Sequence, residues 1–123
     1  MRFLQLAAAL AICTGAAGCA GMITGGPLVS DPDGPTGQIV IQNRSRQDIN
    51  VVLLSRCSAS SYGLNRLPRD MAIPSGGEYA FTVSPGCWDA SVGRTGYGDV
   101  RHRFPAVPAN GSASFAVTGG AEP

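Results

Sequence analysis

From residue 37 onward the chain alternates apolar and polar positions over short spans, and Gly, Pro, Asn and Ser separate one span from the next. Tyr79, Phe81 and Val83 share one face of a period-two pattern, as do Trp88, Ala90 and Val92, and then Ala113, Phe115 and Val117. Successive side chains of a strand point to opposite faces, so this pattern predicts strands with one buried face. The predicted strands are Gln38–Asn43, Ile49–Ser55, Met71–Ile73, Glu78–Ser84, Cys87–Gly93, Val100–Phe104 and Ser112–Val117. No window sustains a period of 3.6, and the abundance of Gly (17) and Pro (9) supplies turns rather than helices. Seven short strands at this spacing predict an all-β domain, a small antiparallel β-sandwich. "NRSRQD", "PSGG" and "ANGS" provide turn chemistry between them. Asn43-Arg44-Ser45 and Asn110-Gly111-Ser112 match the glycosylation acceptor pattern and are read as turns.

The first 18 residues follow another pattern: one cation at Arg2, an apolar core from Phe3 to Cys13, then small residues. That is the layout of an export signal. The apolar core is about half the roughly 20 residues that a membrane-spanning helix needs, so the segment is expected to be removed. Ala16-Ala17-Gly18-Cys19 resembles the bacterial lipobox, with Ala16 where Leu is commoner. The resemblance implies a lipoprotein in which Cys19 is acylated on sulfur and becomes the new N-terminus. Ala20 at the next position resembles lipoproteins sent on to the outer membrane, facing the periplasm. An ordinary cleavage after Gly18 or Ala20 is the alternative. Residues 20–36 read "AGMITGGPLVSDPDGPT", without usable periodicity, and are expected to form a flexible tether spanning roughly 20–25 Å r.m.s.. "DPDG" lacks the later ligands of a calcium loop and reads as turn-forming linker. The organisation expected is therefore signal peptide 1–18, lipidated cysteine and tether 19–36, β-domain 37–119 and a disordered tail 120–123.

Charge and cysteine content narrow the function classes. Nine basic residues, all of them Arg, face eight acidic ones, and loss of Arg2 with the signal leaves the side chains balanced. Such a chain has no concentrated basic surface for nucleic acid. Of the four cysteines, Cys13 leaves with the signal and Cys19 stands apart at the cleavage point. Cys57 and Cys87 are left in the body, and in an exported domain with a small core they are expected to form a disulfide.

Candidate chemistry is sparse. His102 is the single histidine, and neither a nucleophile nor a set of metal ligands can be assigned to it, so a surface or core role is expected. Its neighbours Arg101 and Arg103 read as a solvated strand edge, with docking of an anionic group as the alternative. Trp88 alternates inward as core, and Asp89 is expected to face outward or toward a turn, as a backbone acceptor rather than an acid catalyst. "IQNRSRQDI", "SSYGLNRL", "AIPSGGEYAFTV" and "SPGCWD" occur in an order that resembles small bacterial envelope domains with no established activity. The matching residues are Asn43, Tyr62, Gly63, Asn65, Leu67, Gly76, Gly86, Trp88 and Asp89. The resemblance implies a β-sandwich. Two readings of the 62–66 loop stay open: Tyr62 covers an open end of the sandwich while Asn65 bonds loop backbone, or Tyr62, Asn65 and Arg66 form a recognition loop. "SGGEY" at 75–79 resembles one motif of periplasmic lysozyme inhibitors, whose second motif uses a lysine that this chain lacks. The function expected is a lipid-anchored, non-catalytic interaction or accessory module of the cell envelope. It needs no cofactor or metal and docks to the membrane through its lipid and to another envelope protein. A glycan or small-ligand binder using the 62–66 loop and an envelope enzyme inhibitor are the alternatives.

Overall fold

The computed structural model describes residues 26–118; the signal segment, Cys19, the start of the tether and the tail lie outside the described residues. Six strands follow in order: β1 (Gly37–Asn43), β2 (Val51–Arg56), β3 (Glu78–Val83), β4 (Gly86–Arg94), β5 (Gly98–Val107) and β6 (Ser112–Val117). The protein is all-β, and among the described residues there is no helix. Two three-stranded sheets form, in the orders β3-β1-β6 and β2-β4-β5.

Two expectations need correction. Met71–Ile73 is not a strand, so the described residues form six strands and not seven; Ile73 makes only an isolated bridge with Ile49. Pro68 and Pro74 bracket this stretch, and proline cannot donate to a ladder, so the span is too short to extend. The pairing is also not wholly antiparallel, because β6 runs parallel to β1, with Ile39 opposite Ala113 and Ile41 opposite Phe115. The other ladders are antiparallel. β5 runs beyond the predicted Phe104 because Pro105 falls where the register with β4 slips between Gly86 and Trp88. An irregularity of this kind is where a strand accepts proline.

Both sheets turn their apolar positions into one core. Ile39 and Ile41 of β1, Phe81 and Val83 of β3 and Val117 of β6 belong to the same buried cluster as Val52, Leu54, Trp88, Ala90, Val92 and Phe104 from the other sheet. Trp88 is the largest fully buried side chain, and its Nε1–H donates to Ser84 O at 2.8 Å, which removes the cost of burying the indole donor. The Arg56 guanidinium lies 5.0 Å from the Trp88 ring centroid and caps it at the end of the sheet. His102 stacks on Phe115 of the opposite sheet, with centroids 4.4 Å apart, and meets Phe104 edge-on, so it works as part of the packing between β5 and β6.

Residues 26–36, part of the expected tether, lie on the body. Ser84 N–H donates to Leu28 O at 2.8 Å, Ser30 N–H donates to Ser84 Oγ at 2.9 Å, and Leu28 packs against the core. Asn110 N–H donates to Thr36 O just before β1 begins.

Candidate functional site

β2 is an edge strand of its sheet, and its unpaired backbone groups need partners or they invite association with other chains. The returning segment Asn65–Leu67 supplies them. Asn65 Oδ1 accepts from Val52 N–H (2.9 Å) and Leu67 N–H (3.2 Å), and Asn65 Nδ2 donates to Asn50 O (2.9 Å). The Asn65 side chain thus stands in for a peptide group of a neighbouring strand. Arg66 continues the seam: its N–H donates to Val52 O at 2.7 Å, and its guanidinium donates to Leu54 O and to Gly26 O. Burial pushes the Arg66 pKa down from the ordinary arginine value. Both side chains are committed to backbone, Asn65 at the rim of a separate cleft with Asn50 and Pro68, so of the three loop residues singled out in the sequence Tyr62 is the one that lines the cleft on the outer face of β2, β4 and β5.

That cleft is an open groove of about 310 Å³ on the outer face of β2-β4-β5. Register places Leu53, Ser91 and Arg101 in one row across the three strands, and Val51, Gly93 and Asp99 in the next. Tyr62 forms one wall. It lies over the outer face of this sheet rather than at an open end between sheets, and the Arg101 guanidinium sits 5.3 Å from its ring centroid. The β4–β5 turn forms the other wall, where Arg94 stacks 5.3 Å from the ring of the half-exposed Tyr97. A side chain at position 93 would collide with the carbonyl of Gly98, so Gly93 keeps the floor of the groove bare while the hairpin closes over it.

Both walls are fixed. Cys57 and Cys87 form the expected disulfide, with Cα atoms 5.5 Å apart, and Cys57 N–H donates to Cys87 O beside it. The loop carrying Tyr62 therefore leaves from a covalent clamp and returns at the Asn65 seam. On the far side, Asn50 Oδ1 accepts from Thr95 N–H at 3.0 Å and pins the turn.

The acids of this face are held ionised. Asp89 points outward as expected, but it receives Arg103 through two bonds of 2.7 and 2.9 Å instead of a backbone donor. Hydrogen bonding from Arg103 lowers its pKa, against the opposing effect of burial. Asp99 Oδ2 accepts from Ser91 Oγ and from Arg101 Nε, and the bond from Ser91 is the main cause of its lowered pKa. Sequence reasoning passed over Ser91, Arg94 and Asp99. The row that joins Ser91 to Arg101 exists only once the register is known.

The remaining motif residues serve the fold. Ser75 Oγ donates to Ser45 O at 2.6 Å, and Tyr79 packs edge-on against Phe81 with centroids 4.9 Å apart, so the ends of "SGGEY" act in a turn and in packing. Among the described residues no cluster of three or more His, Cys, Asp or Glu side chains could hold a metal ion. No family model matches this chain, and no curated protein matches it. Fold and geometry together define a small disulfide-bonded all-β module with an open groove on a sheet face.

Proposed function

We infer that the protein is a lipid-anchored interaction or accessory module of the bacterial cell envelope, held at the outer membrane through Cys19 and presenting a small β-sandwich toward the periplasm. The observation that carries this reading is the closed Cys57–Cys87 bridge, which belongs in an oxidising compartment and agrees with the export signal and lipobox ahead of it. Two sheets that share one core support the sandwich. The partner surface is the face framed by the Tyr62–Arg101 and Tyr97–Arg94 pairs, since Tyr and Arg are the residues that most often anchor recognition.

The test is made on membrane-extracted protein. Intact mass is expected to show a chain starting at Cys19 with added acyl groups, and Cys19→Ala is expected to move the protein from the membrane to the soluble fraction. Two or more acyl chains hold firmly where one is marginal, each buried methylene contributing about 0.8 kcal/mol. An unmodified Cys19, or a mature start at Gly21, defeats the lipoprotein reading.

A further inference from the structure

The groove beside Tyr62 has a charge pattern that its own side chains do not complete. Asp99 is matched within the protein by Ser91 and Arg101. Arg94 on the opposite wall is not: it stacks on Tyr97, and no side-chain or backbone acceptor among the described residues meets its guanidinium. With Arg94 and Arg101 against a single Asp99, the groove carries one excess positive charge. Its floor is apolar where β2 supplies Val51 and Leu53 and bare where β4 supplies Gly93. A site that offers an apolar strip beside an aromatic ring, a carboxylate that accepts from hydroxyls and one unmatched guanidinium fits a particular ligand. That ligand has a flat C–H face, several hydroxyls and one anionic group. We propose that the groove binds a pyranose unit bearing one carboxylate, as in an acidic polysaccharide. The ring lies on Val51 and Leu53 against Tyr62, Asp99 accepts from its hydroxyls, and Arg94 pairs with the carboxylate.

Size and rigidity agree. A volume of about 310 Å³ stands at the lower end of small-ligand sites, room for one or two sugar rings rather than a long segment of chain. The walls are set before binding by the disulfide, the Asn65 seam and the Asn50–Thr95 bond, so little ordering is left for the ligand to bring about. The assignment names the partner of the face proposed above and rests on that face being the recognition surface, but not on the anchor: the groove binds or fails to bind whether or not Cys19 carries lipid.

The experiment titrates the ¹⁵N-labelled full-length chain in detergent micelles with methyl glucuronide and, separately, with methyl glucoside. The two sugars share a ring and differ in the carboxylate. Amides of Ser91, Gly93, Gly96 and Gly98 are expected to shift with both. The glucuronide should bind about fivefold more tightly at low salt, the effect of one partly exposed ion pair. Arg94→Gln is expected to bring the two affinities within about twofold of each other while leaving core amides such as that of Val92 in place. Arg103→Gln, which removes a cation already matched by Asp89 on the same sheet, is expected to leave the preference intact. Equal affinity for the two sugars overturns the proposal, as does the absence of any groove shift at about 50 mM, far weaker than a useful site. Loss of the preference in Arg103→Gln also overturns it, because selectivity would then come from overall charge. A short Glu-containing peptide is run alongside; stronger shifts of the same amides by that peptide make the groove a protein-binding site and end the sugar assignment.

Discussion

Asn43 shows how much a single side chain organises here. It is fully buried at the end of β1, and its amide makes four bonds: Nδ2 donates to Gln47 O (2.7 Å) and Ile73 O (2.8 Å), while Oδ1 accepts from Ser45 N–H (3.0 Å) and Ser45 Oγ (2.7 Å). Its backbone also pairs with Gly76 and Gly77, so two turns meet at one residue. Every donor and acceptor of the amide is used. Asn43→Ala strands several buried polar groups at once and is expected to cost about 3 kcal/mol. Thermal unfolding followed by circular dichroism should register this as a fall of roughly 15 °C in a domain of this size. Asn43→Asp should be no rescue, since a carboxylate has nothing to donate to Gln47 O and Ile73 O. A midpoint within about 4 °C of the native protein for Asn43→Ala, less than 1 kcal/mol, contradicts this account. The same burial keeps Asn43 from serving as a glycosylation acceptor, in line with its reading as a turn residue. What the sequence displayed was an Asn before Arg and Ser; that it reaches across thirty positions to Ile73 is a consequence of the fold.

At the level of elements, period-two alternation revealed the strands because burial of one face is written locally, one residue at a time. Six of the seven predicted strands are present, and Ser112–Val117 has its predicted limits. Which strands lie side by side is not local. The parallel seat of β6 against β1 joins the two ends of the domain, and nothing in either segment names the other. The candidate site divides in the same way. Cysteine count and export context made the Cys57–Cys87 bridge legible, and "SSYGLNRL" stood out as an unusual loop. The division of labour inside that loop did not show, because Asn65 copies a peptide group only when β2 lies beside it. This division bears on what the disulfide protects. Cys57→Ser with Cys87→Ser should lower stability by about 3–4 kcal/mol on the chain-entropy account of a loop of about 30 residues. Protease sensitivity in the double variant should concentrate in residues 58–63, between the lost clamp and the Asn65–Leu67 seam, where Leu67 is buried. Peptide mapping of a timed digest reads this directly. Cleavage beginning after Arg66 or Arg69 in preference to 58–63, or a double variant as stable as its parent, runs against the assignment of the bridge as the clamp of the Tyr62 wall.

For the whole molecule, the docked strap changes how far the body can stand from a membrane. If the chain is anchored at Cys19, a tether reaching to β1 would extend through 18 positions and span about 60 Å when fully stretched. The structure instead fastens the chain at Gly26 through Arg66, at Leu28 through the Ser84 N–H and at Ser30 through the Ser84 hydroxyl. Seven positions then separate the lipid from the first point of attachment, a reach of at most about 25 Å. With such an anchor the body would stand near the bilayer, with the β2 edge, where Gly26 is bound, attached first along the chain; the groove belongs to the same sheet. Trp88 is the single tryptophan and sits in the core, so it reports the position of the body without any added label. Lipidated protein in vesicles containing dansyl-labelled lipid is expected to show energy transfer from Trp88. Insertion of about ten Gly/Ser residues after Gly21 should reduce that transfer clearly by lengthening the leash. Cys19→Ala should abolish it, which separates failure of the anchor from failure of the strap. Ser30→Gly with Ser84→Ala, which removes the hydroxyl contacts while leaving the lipid in place, should fall between the native chain and the insertion. Transfer in the native protein as weak as in the lengthened one would mean that the strap does not hold the body to the membrane.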